Sequence, residues 1–153
     1  MALSPRKKTQ EKIRTGIEAL MHHRQQKLMG YVFPPAQAVV ESLSKVDGVQ
    51  QVSLAGGLRR WTETIKDAQI VVACKDFRKI QVALADMDWI SQVAENWTDS
   101  GGSARLVDDV ELNVKLVSPE DFGSALICYT GSEEHLIGLN HLAKNLNLGE
   151  IWK

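Results

Sequence analysis

The stretch AGGLRRWTETIKDAQIVVA, residues 55–73, carries a glycine pair, nine intervening residues, and then Asp67-Ala68-Gln69 at the head of an apolar run. A glycine pair directly after a strand lets the backbone approach a phosphate, because no Cβ stands in the way. Asp67 and Gln69 are two residues apart, so on a strand they project from the same face. Two acids at those positions would hold a pair of magnesium ions and align an in-line phosphoryl attack. The amide of Gln69 is a neutral, poor ligand for Mg2+. A turn followed by a strand start with two exposed polar groups accounts for the same spacing. Either way, this stretch is a strand end, a turn and a second strand, and the fold follows from what flanks it.

Working outward, VQQVSLAG alternates Val52 and Leu54 after the turn signal Asp47-Gly48, which predicts a strand ending at the glycines. AQIVVACK is a continuous β-branched run, as expected of a strand buried on both faces. DFRKIQVALADM returns to helical spacing through Phe77, Ile80, Val82 and Leu84. Three more strands are predicted in SQVAENWT, SARLVDD and VELNVKLVS, the last two joined by a tight turn at Asp108-Asp109. In the last of them Val110, Leu112, Val114 and Leu116 point to one face and Glu111, Asn113 and Lys115 to the other. Simple solvation explains that polar face; on a metal-binding reading, Asn113 stands where a third acid would serve.

The ends of the chain are helical in pattern. Ser4-Pro5 reads as an N-cap and first helical position, with Ile13, Ile17, Leu20 and Met21 on one face. Leu28 and Met29 suggest a short second helix ended by Gly30, and Pro34-Pro35 the start of another whose apolar face is Ala36, Val39, Val40 and Leu43. Downstream, Pro119 is expected to begin a helix through Phe122, Ala125 and Leu126, with Gly131 as its breaker. Ser132 with Glu133-Glu134 can cap a final helix carrying Leu136, Leu139, Leu142 and Leu146. Helices, a mixed sheet of about five strands, then helices again define an α+β architecture.

Composition sets the bounds. With 153 residues, 44% hydrophobic and 24% charged, the chain has the make-up of a soluble globular domain. Its net charge of −1 exerts no global pull on nucleic acid, so such a partner must meet a local patch, of which Arg6-Lys7-Lys8 with Lys12 and Arg14 is the obvious one. Cys74 and Cys128 lie far apart in apolar surroundings and fit buried thiols of a reducing compartment. The start, MALSPRKKTQEK, has no apolar signal region and no run reaches membrane-spanning length, so a cytoplasmic protein with no membrane partner is expected. His22, His23, His135 and His141 lack metal-ligand spacing.

Taken together these stretches resemble the bacterial family X DNA polymerases, polymerase-beta-like members of the nucleotidyltransferase superfamily. KIRTGIEAL and LMGYVFPPAQAVVESLSKVDGV are similar to the helices preceding the palm. VSLAGGLRRWTETIKDAQIVVA is similar to the palm's Gly-Ser, double-arginine, Glu-Thr, Asp-x-Asp signature. VELNVKLVSPEDFGSALICYTGSEEH is similar to the third-acid strand and the Tyr-Phe-Thr-Gly-Ser segment beside the incoming nucleotide.

The resemblance implies a helical, DNA-binding type of subdomain over 1–47, a palm over 48–117 and a nucleotide-binding helical subdomain over 118–153. It implies template-directed nucleotidyl transfer in DNA repair, with DNA and dNTP as partners and Mg2+ held by three aspartates. Gly56, Arg59, Arg60, Asp67, Thr130, Gly131, Ser132 and His135 match the family's pattern. The departures fall on the chemistry: Gly57 stands for serine, Lys66 for glycine, Gln69 and Asn113 for two aspartates, Cys128-Tyr129 for Tyr-Phe, Leu136 for asparagine and Asn140 for arginine. The expected site is therefore a catalytic position at Asp67, with Gln69 and Asn113 beside it and metal binding that is weak or absent. Nucleotide contacts are expected from Gly56, Gly57, Arg59, Arg60, Tyr129, Thr130, Gly131, Ser132 and His135. Weak, non-specific DNA contacts are expected from Arg6, Lys7, Lys8 and Lys27, and from Arg59 and Arg60 if one groove gathers them. The family's lyase and phosphoesterase domains have no counterpart in these residues, so the expectation is a fragment or a short degenerate relative, impaired in polymerisation. A non-catalytic DNA-binding or scaffold module and an active nucleotidyltransferase of altered specificity are the alternatives.

Overall fold

The computed structural model describes residues 9–16 and 26–148. In order these are helix α1 (9–16), strand β1 (Lys27–Leu28), α2 (Met29–Leu43), β2 (Gln51–Ala55), the single turn α3 (Gly56–Arg59), β3 (Thr64–Ile65), β4 (Asp67–Ala73), α4 (Phe77–Ala85), β5 (Ile90–Val93), β6 (Gly101–Leu106), β7 (Glu111–Val117), α5 (Phe122–Thr130) and α6 (Glu133–Asn145). The α+β class holds, and five strands form one sheet in the order β2-β4-β7-β6-β5. Only β4 and β7 run parallel. A parallel pair needs a crossover, and α4, β5 and β6 supply it.

The middle of the sheet follows its sequence closely. In β4, Ala68, Ile70, Val71, Val72 and Ala73 are all fully buried, as the unbroken β-branched run requires. In β7, Leu112, Val114 and Leu116 are buried while Glu111 is exposed and Asn113 and Lys115 are half-buried. The main core lies on one face of the sheet, where Leu54, Ile70, Val72, Leu112 and Val114 meet Val32, Val39 and Leu43 of α2 and Ile80 and Leu84 of α4. That core is continuous across residue 47, with α2 and the sheet sharing one cluster. The opposite face carries Asp67, Gln69 and Asn113, and α5 packs over its β4–β2 part.

Several local expectations are corrected. The N-cap at Ser4 and the positions Ile17, Leu20, Met21, His22 and His23 lie outside the described residues. Gly30 does not end a helix and Pro34-Pro35 do not start one: α2 runs through all three from Met29 to Leu43. An interior proline costs about 3 kcal/mol, but this helix buries Val32, Ala36, Val39 and Leu43 completely. Each large apolar side chain so buried contributes about 1.5–3 kcal/mol, so tertiary packing carries the helix past its breakers. Its first N–H, on Met29, donates to Glu63 O at 3.0 Å, and Lys27–Leu28 before it pair with β3 in a small second sheet absent from the sequence reading.

In α4, Val82 is 63% exposed because Ile80 and Leu84, four apart, face the core. The strand expected over SQVAENWT stops at Val93, and Trp97 leaves it to lie on Gly102, where a Cβ would come within 2.4 Å of the ring. α5 begins at Phe122, after a turn in which Ser118 Oγ meets Asp121 Oδ2 at 2.7 Å, so Pro119 precedes the helix. Leu142 and Leu146 of the last helix are exposed, and Ala143 is its buried contact.

Candidate functional site

β2 delivers its chain to the glycine pair, and the glycines are needed for two separate reasons. Gly56 has φ +57°, a left-handed conformation that favours glycine, and a Cβ there would sit 3.2 Å from Gln69 Cδ. Gly57 is closed by packing: a Cβ would stand 2.7 Å from Thr62 Oγ1 and 3.1 Å from Ile65 Cδ1. Thr62 Oγ1 is itself held by Gly57 O at 3.2 Å and Thr64 O at 3.1 Å. The turn and the strand after it are thus locked together.

The parallel register of β4 and β7 sets Asp67 beside Glu111 and Gln69 beside Asn113. Both amides turn to the one carboxylate: Gln69 Nε2 donates to Asp67 Oδ2 at 2.8 Å, and Asn113 Nδ2 donates to the same oxygen at 3.2 Å. An amide at that distance from an ionised carboxylate must present its NH2, since its carbonyl would be repelled. Among the described residues no group of three or more His, Cys, Asp and Glu converges to hold a metal. The donor set does not suit a pair of dications: between the amides of Gln69 and Asn113 stands Asp67, whose Oδ2 already accepts from two N–H donors, with the exposed Glu111 beside it on β7.

A cleft of about 560 Å3 opens over this cluster. It is lined by Gly56, Gly57 and Arg60 of α3 and its C-cap, by Thr62, Thr64, Ile65 and Lys66 of the β3 region with Gln26, by Asp67 and Gln69 of β4, and by Cys128, Tyr129 and Gly131 at the α5–α6 junction. Arg60 ties α3 to the α5–α6 junction, its Nη1 donating to Thr130 O and, at 3.1 Å, to Gly131 O. The Lys115 ammonium lies 5.4 Å from the Tyr129 ring centroid, a cation–π contact. Burial pushes the Cys128 thiol above its ordinary value, which keeps it protonated and a poor nucleophile.

Not every expected residue comes to this cleft. Arg59 turns away from Arg60: its Nη1 donates to Ser53 Oγ at 3.2 Å, and it lines a second groove with Phe33 and Trp61, whose rings stack at 5.1 Å. One groove therefore does not gather both arginines. Ser132 Oγ accepts from the His135 N–H at 3.3 Å as the α6 N-cap, and neither residue lines the cleft. Thr130 contributes its carbonyl, while its Oγ1 is buried with no hydrogen-bond partner. Lys27 is exposed on β1, opposite Ile65. Arg6, Lys7 and Lys8 lie outside the described residues. The sequence reading missed Gln26, Thr62, Thr64 and Ile65 as cleft residues. The β1–β3 pairing that brings Gln26 in has no periodic signal in its two-residue strands.

No family model matches the chain. Over 140 residues it is 30% identical to the DNA polymerase/3'-5' exonuclease PolX of Bacillus subtilis (strain 168), an alignment that takes in 90% of this chain and 24% of that protein. The chain thus spans about a quarter of the length of the curated relative it matches. The similarity supports a family X relationship, and the mixed five-stranded sheet with its helices is consistent with a polymerase-beta-like palm fragment.

Proposed function

We propose that this chain is a relative of the family X polymerase core, with a palm over 48–117 flanked by helical subdomains over 1–47 and 118–153, and that it is impaired in two-metal nucleotidyl transfer. The observation that carries this reading is the pair of amide N–H groups on Asp67 Oδ2. Catalysis by paired metals needs several carboxylates to neutralise the ions and align the attacking and leaving oxygens. Here amides stand at Gln69 and Asn113, and the N–H groups they turn to Asp67 Oδ2 repel a cation. Asp67 is the acid at the head of β4, with the exposed Glu111 beside it on β7, and a metal on Asp67 Oδ2 would have to displace the amide N–H donors.

The same unit retains a nucleotide-sized cleft with Arg60 and Tyr129 on its wall, so nucleotide contact survives the loss of metal chemistry in this reading. DNA contact is the second part of the proposal. Arg6, Lys7, Lys8 and Lys27 supply a handful of phosphate contacts, which gives sequence-independent binding no tighter than about 10⁻⁴ to 10⁻⁶ M at physiological salt. The test is calorimetric titration of the chain with Mg2+ and Mn2+, with primer extension run alongside. No tight metal binding and no extension are expected. Two sites of micromolar affinity, or templated extension abolished by Asp67→Asn, would overturn the reading.

A further inference from the structure

The sheet ends on two edge strands, and they differ. β5 carries a register shift between Ile90 and Gln92, the kind of irregularity that keeps an edge from pairing further. β2 has no such device: it pairs with β4 without a break over Gln51–Ala55, and among the described residues nothing pairs with its other side. A groove of about 500 Å3 lies along that strand. Its lining takes in Val52, which packs on the α2 side, and Ser53, which alternation turns the other way, so the groove straddles the strand's edge. The stacked rings of Phe33 and Trp61 stand in its wall. Trp61 is 70% exposed and has φ +57°, a conformation in which a helical turn ordinarily ends on glycine. A large apolar ring is thus held open to solvent on backbone that L side chains rarely adopt.

Arg59 is the charged residue of the lining, and its Nη1 donates to the neutral Ser53 Oγ, halfway along β2. The acids of the flanking segments are accounted for. Asp47, before β2, is paired with Lys79. Glu41 on α2 accepts from Gln37 Nε2 at 3.2 Å, and Glu63 lies two residues past Trp61. Neither glutamate lines the groove or forms an ion pair among the described residues.

We propose that the β2 edge is a docking site for an extended segment of another protein, which adds a strand beside β2, lays an apolar side chain on Phe33 and Trp61, and places a carboxylate at Arg59. In such pairing the main chain supplies affinity and alternate side chains supply specificity. Neighbouring residues of a strand project to opposite faces, so an apolar residue next to an acidic one would meet the α2 side and the Arg59 side at once. The guanidinium fork of Arg59 suits a carboxylate. Two other occupants fit less well. A second copy docked edge to edge about the middle of β2 would bring two Arg59 side chains together, since each reaches to Ser53. Single-stranded nucleic acid would find rings to stack on, but its binding grooves are positively charged along the backbone path, and this one offers a single cation with Glu41 and Glu63 in the flanking segments.

The test is fluorescence polarisation of the whole chain with a dye-labelled synthetic peptide of alternating Val and Thr that carries one Leu next to one Asp. Saturable binding is expected, and it should weaken roughly tenfold when lysine replaces the aspartate, the loss of one charge-assisted contact. Methylation of the backbone nitrogens along one side of the peptide should abolish binding, and methylation along the other side should leave it unchanged, because a strand pairs through one edge. These comparisons are read on the parent chain and do not depend on how any variant folds. Arg59→Glu should reverse the charge preference, so that the lysine peptide binds better than the aspartate peptide. Trp61→Ala should weaken the leucine peptide severalfold and leave a peptide with alanine in its place unaffected. Absence of binding by the aspartate peptide, or binding with the same response to methylation on either side, overturns the proposal. An oligothymidylate that binds more tightly than the peptide and is lost in Trp61→Ala overturns it in favour of nucleic acid. A dimer, measured by sedimentation, that Trp61→Ala dissociates overturns it in favour of a second copy.

Discussion

Changing Gln69 and Asn113 together to aspartate should convert a satisfied polar cluster into a strongly metal-dependent one. Two hydrogen bonds to Asp67 Oδ2, at 2.8 and 3.2 Å, would be lost. Bonds to a charged group each contribute about 1.5–3 kcal/mol. Three carboxylates would then stand side by side on the paired heads of β4 and β7. At a separation of about 4 Å and an effective dielectric near 20, one like-charge pair costs about 4 kcal/mol. Asp67, Gln69 and Asn113 are only half-buried, and solvent screens much of that repulsion. We therefore expect the metal-free double variant to lose about 3–6 kcal/mol, a large share of the 5–15 kcal/mol typical of a domain. Gln69→Asp also withdraws a side chain that packs on Gly56, so it should be the costlier single change. Urea unfolding followed by tryptophan fluorescence measures the loss. Mn2+ should then restore about 2.7 kcal/mol at a hundredfold excess over its dissociation constant, and should do nothing for the parent. A double variant within about 1 kcal/mol of the parent, or one indifferent to Mn2+, would refute the amide-for-acid reasoning.

Gly57→Ser should destabilise by about 1–3 kcal/mol through overpacking, since its Cβ would lie 2.7 Å from Thr62 Oγ1. Adding Thr62→Ala should recover most of that loss in a double-mutant cycle, and strictly additive effects would count against the packing argument. Cys128 should alkylate more slowly at neutral pH than a free peptide thiol, its titration displaced upward by burial from the ordinary 9.0. Iodoacetamide labelling followed by mass spectrometry checks this, and labelling at the free-thiol rate contradicts it. The exposed pair Lys79–Asp47, at 2.8 Å, holds Asp47 below its ordinary 3.8 and Lys79 above its ordinary 10.5, in each case first through the hydrogen bond between them. Its stabilisation is therefore present between those values, lost as pH falls below the carboxylate's and lost as pH rises through the lysine's. Lys79→Ala and the parent should converge in thermal midpoint at pH 2 and in molar salt; a gap that survives both means that the lysine stem's packing, not its charge, is at work.

What the sequence displayed and what it concealed divide along the range of the interactions. The strands β4 and β7 and the turn at Asp108-Asp109 were legible because a period of two, a β-branched run and a polar pair are local signals. The shared face of Asp67 and Gln69 was legible for the same reason. α2 was not: Gly30 and Pro34-Pro35 are honest local breakers, and only burial of Val32 and Val39 against a sheet formed later in the chain overrides them. The divergence of Arg59 and Arg60 was available in principle, since neighbours on a helical turn point about 100° apart, and the condition that one groove gathers them fails on that geometry.

The amide cluster shows the same limit at the site. Position by position, Gln69 and Asn113 each look like the loss of an acid. Only the parallel β4–β7 register, which depends on the crossover through α4, β5 and β6, reveals that the two changes act on one oxygen. Two losses scattered at random would leave Asp67 either repelled by a remaining acid or short of a donor. Two amides converging on it give Oδ2 of this half-buried carboxylate two N–H donors without any ion. The cluster is therefore a coherent hydrogen-bonded arrangement in its own right, set by the register of two strands and not by either position alone.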